Sequence, residues 1–220
     1  MTTRDPDRAS VQDPPGAATV GGVGLADLDR LYPAPKPRTV AKVIDHVDRH
    51  AAGFIALSPF CVFASVAADG TVDASPRGGA PGFVRVEGPR RLLMPDRPGN
   101  NRLDSFRNIV SGAGEVGMLF FIPGVDDALR INGRASLTDD PALLATMVEF
   151  GKPPRTVVKI AVREVYLHCP KAMMRARLWD AAAHQPRSAL PSLGEMIRDQ
   201  TGMGEAETTA EAMVRYNETL

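Results

Sequence analysis

The sequence predicts a mostly β domain with helical additions, built as an antiparallel barrel. Short runs of β-branched, aromatic and small residues follow one another closely, and turn-forming pairs such as Asp69-Gly70 and Gly88-Pro89 separate them. An Asp-Gly pair between two such runs indicates a hairpin, because both residues accept the positive φ angles of a two-residue turn. Only two helical segments interrupt the strands, whereas a parallel sheet needs a helix at every crossover.

Seven segments carry the strand pattern. Alternation is clearest in the last one, where Val158, Ile160 and Val162 alternate with Lys159 and Arg163. A period of two is typical of a strand with one buried face. The predicted strands are residues 60–67, 71–75, 83–87, 91–94, 115–122, 128–137 and 156–168.

Helices are predicted where apolar residues recur every three or four positions. Thr39 is placed to cap a helix that ends at Gly53, and Asp139 or Asp140 is placed to cap one that begins at Pro141. Proline is tolerated in the first helical turn. The predicted helices are residues 39–52, 101–111, 141–150, 170–179 and 191–199, and residues 205–219 are either a helix or frayed.

Composition gives no sign of a nucleic-acid or membrane partner and is compatible with a small anionic ligand. The chain has 26 basic and 26 acidic residues, so its net charge is zero and no field attracts nucleic acid or a membrane surface. No apolar run approaches the about 20 residues of a membrane helix, and the N-terminus lacks an apolar leader core. We therefore expect a cytoplasmic protein without membrane or nucleic-acid partners.

The two cysteines, Cys61 and Cys169, are too few for a disulfide framework or a cysteine zinc site. Two buried thiols in a reducing compartment are expected, with a single bridge left open. No metal site is predicted.

Residues 112–117 match the GxGxxG dinucleotide fingerprint in a reversed context. That motif needs a strand before it and a helix after it, so that phosphate meets the helix N-terminus. Here a predicted helix precedes the glycines and a predicted strand follows them. The segment is therefore predicted to be a turn, and no motif identifies a catalytic side chain.

Polar residues concentrate in two segments, 73–79 and 95–105, each of which follows a strand. In the second, Asn101, Arg102 and Ser105 are placed at a predicted helix start, where free N–H groups favour an anion. Arginine adds a planar fork that suits phosphate. A phosphate grip is one interpretation, and a helix cap with a surface salt bridge is the other.

The polar segments also carry a resemblance. Together with Ser58-Pro59-Phe60 and residues 129–135, the runs Ser75-Pro76-Arg77-Gly78 and Pro95-Asp96-Arg97-Pro98-Gly99-Asn100-Asn101-Arg102 resemble the pyridoxamine 5'-phosphate oxidase-like FMN-binding family, in particular a bacterial branch with these two motifs. The similarity spans about residues 50–180. It implies a split β-barrel and a homodimer that binds FMN in a groove at the subunit interface.

The resemblance also implies roles for single residues. Arg97, Asn101 and Arg102 would hold the phosphate, and the strand ends at residues 75–77 and 94–96 would edge the isoalloxazine ring. From their positions alone, we hypothesise that Arg77 and Arg97 stabilise the anionic reduced flavin. Trp179 would come from the partner subunit or would be a packed core aromatic. The full set of predicted cofactor-binding residues is Ser75, Pro76, Arg77, Met94, Pro95, Asp96, Arg97, Asn100, Asn101, Arg102, Ser105, Arg134 and Trp179.

The domain organisation follows from these assignments. Residues 1–38 are predicted to be a proline-rich N-terminal arm, and residues 39–180 the FMN-binding split-barrel domain. Residues 181–220 are predicted to form a C-terminal helical extension. Six prolines and a glycine-rich stretch oppose regular structure in the arm.

The predicted function is an FMN-dependent oxidoreductase acting on an unknown small molecule, with NAD(P)H as the electron donor to test. True pyridoxamine phosphate oxidases carry Trp-Gly-Gly and Phe-Trp-Gln-Gly segments near the C-terminus. This chain has one tryptophan and neither segment, so that activity is not expected. The alternatives are a non-catalytic flavin-storage protein, or a split barrel that uses a deazaflavin or haem, with His46 and His168 as candidate haem ligands.

Overall fold

The computed structural model describes residues 22–149 and 151–219. The predicted arm therefore lies outside the described residues over 1–21. The chain divides into two units after Val40. The first unit contains helix α1 (Leu25–Leu31), where the Asp27 carboxylate accepts a hydrogen bond from the Gly24 N–H at 3.1 Å. Helix α2 (Pro37–Ala41) follows at the division.

The second unit is organised around one seven-stranded sheet in which every pairing is antiparallel. Its hydrogen-bonded order is β2-β1-β5-β6-β7-β4-β3, with β2 and β3 at the open edges. This confirms the mostly β split-barrel fold and all seven predicted strands. The strands are β1 (Phe60–Val66), β2 (Val72–Gly78), β3 (Arg85–Gly88), β4 (Arg91–Pro95), β5 (Glu115–Ile122), β6 (Val125–Thr138) and β7 (Val157–His168).

The turn between β1 and β2 forms where Asp69-Gly70 predicted it. Gly70 adopts a φ of 85°, which side chains rarely allow, and the Asp69 carboxylate accepts a hydrogen bond from the Thr71 N–H at 3.0 Å. The hairpin then pairs residue by residue from Val66↔Val72 to Phe60↔Gly78. Because that ladder continues, β2 extends three residues beyond its predicted end.

Apolar side chains from five strands form the core inside the sheet. Two helices, α3 (Arg49–Leu57) and α4 (Asp104–Ser111), contact this core through residues such as Ile55 and Phe106. The strand residues of the core that are completely shielded from solvent are Cys61, Phe63, Leu92, Phe120, Leu129, Ile131, Val158 and Ile160.

The predicted helix over residues 39–52 is wrong. The chain forms α2, leaves helical geometry, and starts again as α3 with Asp48 as its N-cap. The Asp48 carboxylate accepts a hydrogen bond from the Ala51 N–H at 2.8 Å. Between the helices, Ile44 pairs with Val165 of β7 through its backbone. This long-range pairing outweighs a local helical pattern, and Gly53 lies inside α3 instead of ending it.

Three further helices are shorter than predicted. Helix α4 begins at Asp104, because Asn101 and Leu103 adopt left-handed φ values of 57° and 61°. Helix α5 (Pro141–Ala145) starts at its predicted Asp140 cap but ends early, and Phe150 lies outside the described residues. The third is α6 (Lys171–Ala176), which was expected over residues 170–179. The remaining α-helices are α7 (Leu193–Thr201) and α8 (Thr209–Thr219).

The two cysteines differ in their surroundings. Cys61 of β1 is buried and Cys169, just after β7, is exposed, and both are free thiols. The expectation of two buried thiols is therefore wrong for Cys169.

Within the residues that the structure describes, no helix has the length and apolar character to cross a bilayer.

Candidate functional site

Strand β2 carries a polar stripe on the face that continues the core. Because successive side chains of a strand point to opposite faces, Asp73, Ser75 and Arg77 share one face. Their partners on β1 are Ser65, Phe63 and Cys61, which are all buried. The polar stripe therefore faces inward at the edge of the barrel.

Ser105, in the first turn of α4, completes this stripe. It is buried, and its hydroxyl donates to the Asp73 carboxylate with an O–O distance of 2.5 Å. The same oxygen lies 3.3 Å from the Ser75 hydroxyl and accepts a hydrogen bond from Arg77 Nη2 at 3.3 Å. Three of the predicted site residues thus meet around one hydroxyl oxygen.

Arg77 is held by aromatic rings on two sides. Its guanidinium carbon lies 5.9 Å from the centroid of the Phe63 ring and 5.5 Å from that of Phe106. Cation–π contacts of this kind orient a guanidinium in a partly desolvated site. Arg77 Nε is buried and has no hydrogen-bond partner among the described residues. The side chain is therefore preorganised and keeps an unused donor.

The loop from Asp96 to Leu103 lies beside this stripe. The Asn100 carboxamide oxygen accepts a hydrogen bond from the Arg102 N–H at 3.1 Å. Arg102 Nε forms an exposed ion pair with Asp104 Oδ2 at 2.7 Å. Asn101 and Arg102 precede α4, so the predicted anion site at the helix start reduces to Ser105 and the side chains around it.

Glu149 is a site residue that the sequence did not indicate. Its Oε2 lies 2.7 Å from Arg97 Nη2, and the two side chains are only 15% and 23% exposed. Its Oε1 accepts a hydrogen bond from the Ala80 N–H at 2.8 Å, while Arg97 Nη2 also donates to the Met147 carbonyl at 3.1 Å. Only long-range contacts define this role, so no local pattern could have found it.

These segments enclose a cavity of about 670 Å³. That volume is within the range of small-molecule sites. Lys152 and Arg155 also line it, and neither forms a salt bridge with any described residue. Eight predicted site residues line this cavity: Ser75, Arg77, Asp96, Arg97, Asn100, Asn101, Arg102 and Ser105.

The other five predicted residues do not line this cavity. Pro76 is exposed on the opposite face of β2, and Met94 and Pro95 are buried in β4. Arg134 Nε pairs with Glu115 at 3.0 Å, and Trp179 Nε1 donates to the Val125 carbonyl at 2.9 Å.

Asp96 is the carboxylate of the cavity whose titration is perturbed. Burial raises its pKa above the ordinary value, and the charges of Arg77, Arg155 and Arg97 offset only part of that effect. The folded state therefore binds this proton more tightly than the unfolded state does. Above the pKa that Asp96 has in the folded state, its ionised carboxylate lowers the free energy of unfolding. This loss disappears as the pH falls through that pKa.

We expect Asp96→Asn to increase the free energy of unfolding at pH 7 because it removes the ionised carboxyl. The gain should shrink as the pH falls toward the folded pKa, where the wild-type carboxyl is protonated. Urea denaturation of both proteins across this pH range measures the difference. A gain that grows on acidification would contradict the assigned cause.

The glycine-rich segment at residues 112–117 forms the turn between α4 and β5, as predicted. A Cβ atom at Gly112 would lie 2.7 Å from the Asn108 carbonyl oxygen. At Gly114, which has a φ of 72°, it would lie 2.5 Å from the Ala135 carbonyl oxygen. These glycines allow close backbone packing, which accounts for them without a nucleotide.

Comparison with known proteins was informative at the level of the family. Residues 47–169 match the family described as pyridoxamine 5'-phosphate oxidase. No curated protein matches the chain.

Several solved structures are similar to the fold. HupZ from Group A Streptococcus is 15% identical, with a TM-score of 0.44 over 54% of this chain and 91% of that chain. A putative pyridoxamine 5'-phosphate oxidase from Lactobacillus delbrueckii is 18% identical, with a TM-score of 0.43 over 56% of this chain and 99% of that chain. A conserved hypothetical protein from Mycobacterium tuberculosis is 14% identical, with a TM-score of 0.42 over 61% of this chain and 91% of that chain.

Proposed function

Because the chain belongs to the pyridoxamine 5'-phosphate oxidase family, we propose that its 670 Å³ cavity binds FMN and that the protein is a flavin-dependent oxidoreductase acting on a small molecule. The observation that carries the proposal is the convergence of Ser75, Arg77 and Ser105 with further cationic residues in one cavity. Bound FMN would supply hydride or electron transfer. The protein then needs to contribute binding, orientation and electrostatics only.

The donor set fits a phosphate group. The Ser75 and Ser105 hydroxyls lie 3.3 Å apart, and the Arg77 guanidinium is within hydrogen-bond distance of Ser105. The Arg77 guanidinium and the Ser75 hydroxyl provide charge and directed donors for phosphate oxygens, while the Ser105 hydroxyl proton is held by Asp73. The unused Arg77 Nε and the charges of Lys152 and Arg155 strengthen the same preference. We assign the phosphate to this cluster.

The flavin ring needs an apolar surface next to the phosphate. Pro98, Pro153, Pro154 and Phe106 supply such a surface within the same cavity. We assign the ring to this side, near Asp96. Since Arg97 is paired with Glu149, its charge is partly neutralised there, which makes Arg97 a weak candidate for stabilising negative charge on the ring.

We also propose a homodimer. Arg134 and Trp179 do not line the cavity of their own protomer. If they contact FMN, it would be the FMN bound in the cavity of the partner subunit. Two-fold dimers are the commonest assemblies among soluble homo-oligomers. Light scattering that shows a monomer with flavin bound would exclude the dimer and leave the FMN site intact.

The first experiment is an absorbance spectrum of the purified protein, followed by heat release and mass identification of the ligand. Released FMN near one per chain supports the proposal. A colourless protein that also fails to bind added FMN overturns it, as would a haem or deazaflavin spectrum. His46 and His168, the candidate haem ligands, do not line this cavity.

A turnover assay separates the enzyme from a flavin-storage protein. Bleaching of the bound flavin by NADH or NADPH, with repeated reoxidation by an added acceptor, supports the oxidoreductase. Bound flavin without turnover on a broad acceptor panel supports storage. Neither result bears on the FMN site itself.

Glu149→Gln should tighten FMN binding about threefold to tenfold. The amide removes a negative charge from the cavity and releases Arg97, a change worth about 1 kcal/mol for one partly exposed ion pair. Gln keeps an oxygen that can accept from the Ala80 N–H, so the loop contact survives. Titration of FMN fluorescence measures the change, and weaker binding would show that the Arg97–Glu149 pair is needed intact.

A further inference from the structure

A second cavity lies on the outer face of the sheet, away from the proposed FMN site. Its volume is about 500 Å³. Val62 and Ala64 of β1 line it, and they alternate with Cys61 and Phe63, which face the core. Strands β5 and β6 continue this floor, and α6 forms one wall.

The cavity combines an apolar floor with a cationic rim. Leu119 of β5 and Ala172 of α6 add to the apolar surface. Arg130, Lys171 and Arg175 supply positive charge, and none of the described residues that line the cavity is acidic. Lys171 and Arg175 form no salt bridge with any described residue. Because Arg130 is paired with Glu164, the unbalanced positive charge beside the apolar surface belongs to Lys171 and Arg175.

Cross-strand pairing places Arg130 at the edge of this groove. On the outer face of β7, Glu164 and Tyr166 stand opposite Asn132 and Arg130 of β6. Arg130 Nη2 pairs with Glu164 Oε1 at 2.6 Å, and its guanidinium lies 4.8 Å from the centroid of the Tyr166 ring. These contacts hold the side chain in one orientation.

Two buried nitrogen atoms of the lining residues have no partner. Arg130 Nε and His168 Nε2 make no hydrogen bond with any described residue. A buried polar group without a partner is costly, so such groups commonly mark a binding site. Burial together with Arg130 and Lys42 lowers the pKa of His168, so the imidazole is neutral at pH 7.

We propose that this groove is a second ligand site, which binds a small amphipathic anion such as an aromatic carboxylate. The apolar body would lie on the floor of Val62, Ala64 and Leu119. The carboxylate would face Arg130 and Lys171. Charge complementarity favours this occupant over a neutral apolar ligand, because burying Lys171 and Arg175 without an anion would leave their charges desolvated and unpaired.

Cys169 provides a direct reporter of occupancy. It is exposed and lines the groove, whereas Cys61 is buried and burial raises the pKa of its thiol to about 12. Alkylation requires the thiolate, so a reagent at neutral pH should modify Cys169 alone. A ligand in the groove should slow that reaction.

The experiment compares naphthoate with naphthylmethanol, which share one apolar body and differ in charge. We measure calorimetric binding and the rate of Cys169 alkylation in the full-length protein saturated with FMN, so that the first cavity is already occupied. If FMN does not bind, Arg77→Gln replaces the wild type, because this variant weakens anion binding in the first cavity. Naphthoate should bind once per chain and slow alkylation, and naphthylmethanol should bind at least about tenfold more weakly. This result does not depend on the FMN proposal.

Two variants test the site and one serves as a control. Lys171→Gln, which removes one of the two unpaired cations of the rim, should remove most of the preference for naphthoate over naphthylmethanol. Ala172→Phe, at an exposed helix position, should block both ligands without touching the core. Arg91→Gln removes an exposed arginine of β4 outside the groove and should change nothing.

Three outcomes would overturn the proposal. One is equal binding of the two ligands, and another is binding that both groove variants leave unchanged. The third is an unreactive Cys169 in a protein that light scattering shows to be a dimer, because a second copy of the chain would then cover the groove.

Discussion

Arg77→Gln is expected to weaken FMN binding by about 10- to 100-fold. A hydrogen bond to a charged group contributes about 1.5–3 kcal/mol, and each 1.4 kcal/mol corresponds to a factor of ten in affinity. Arg77 stands out in the cavity because the Phe63 and Phe106 rings already orient it and its Nε is unused. Little ordering is therefore needed when a phosphate binds.

The loss of FMN affinity should come from the missing charge and hydrogen bonds, and not from a less stable fold. Gln keeps an apolar stem that can pack between the two rings, and it keeps an amide donor for Ser105. Arg77→Lys retains the charge without the planar fork, so its affinity should fall between those of the wild type and Arg77→Gln. Titration of FMN fluorescence gives the affinities, and thermal unfolding shows whether the fold is retained.

The control for this experiment is Arg91→Gln. Arg91 is an exposed arginine of β4 that pairs with Glu87 at 2.9 Å and does not line the cavity. Its loss should leave FMN affinity unchanged. If Arg77→Gln binds FMN as the wild type does while a Lys152→Gln, Arg155→Gln double variant does not, Lys152 and Arg155 hold the phosphate instead of Arg77.

The reduction potential of bound FMN tests the second role assigned to Arg77. A positive charge near the ring stabilises the more negative reduced form, so removing it should lower the potential. Potentiometric titration of Arg77→Ala measures this effect. An unchanged potential with FMN still bound would exclude an electrostatic role and leave the phosphate contact standing.

The strands were predictable because their pattern is local. A few consecutive residues are enough to define the alternation along residues 156–168 and the Asp69-Gly70 turn. The structure contains strand β7 and the turn between β1 and β2 at these positions. The failure at residues 39–52 has the opposite cause. Val40, Val43 and Val47 satisfy a helical period, but Ile44 is taken into a backbone pairing with β7 that no local pattern contains.

The candidate site likewise combines residues that a local pattern could indicate with residues that only the whole fold brings to it. The sequence indicated segments 73–79 and 95–105, and both line one cavity, the first as part of β2 and the second as the segment that leaves β4. Glu149, Lys152 and Arg155 reach it from a segment more than forty residues further along the chain. Their role depends on how β4 and β7 pair, from Arg91↔Ala161 to Pro95↔Val157, and pairing between distant strands is decided by the whole fold.

Gly133→Ala is expected to lower the free energy of unfolding by about 3 kcal/mol or more. A Cβ atom at this position would lie 2.2 Å from the Ala161 carbonyl oxygen and 3.1 Å from its carbonyl carbon. Both atoms belong to the backbone of β7, so no side-chain rotation can relieve the clash. Overpacking of this kind costs about 1–3 kcal/mol, and more when backbone must move.

The position of Gly133 within the sheet increases the effect. It is buried in β6, which pairs with β5 on one side and β7 on the other, and the register with β7 shifts between Asn132 and Gly133. Moving the backbone there disturbs both ladders and the Arg130–Glu164 pair nearby. Urea denaturation measures the loss, and an unchanged slope shows that only stability has changed.

Gly88→Ala is the matched control. Gly88 also lies at a register shift, in β3, but a Cβ atom there would meet nothing within 4 Å. With no clash, alanine should be neutral or add up to about 1 kcal/mol, because it restricts the unfolded chain. If both variants unfold at the same urea concentration as the wild type, β6 and β7 are further apart at this point than the structure indicates. If only Gly133→Ala is destabilised, the backbones of β6 and β7 approach each other at this point as closely as the structure indicates.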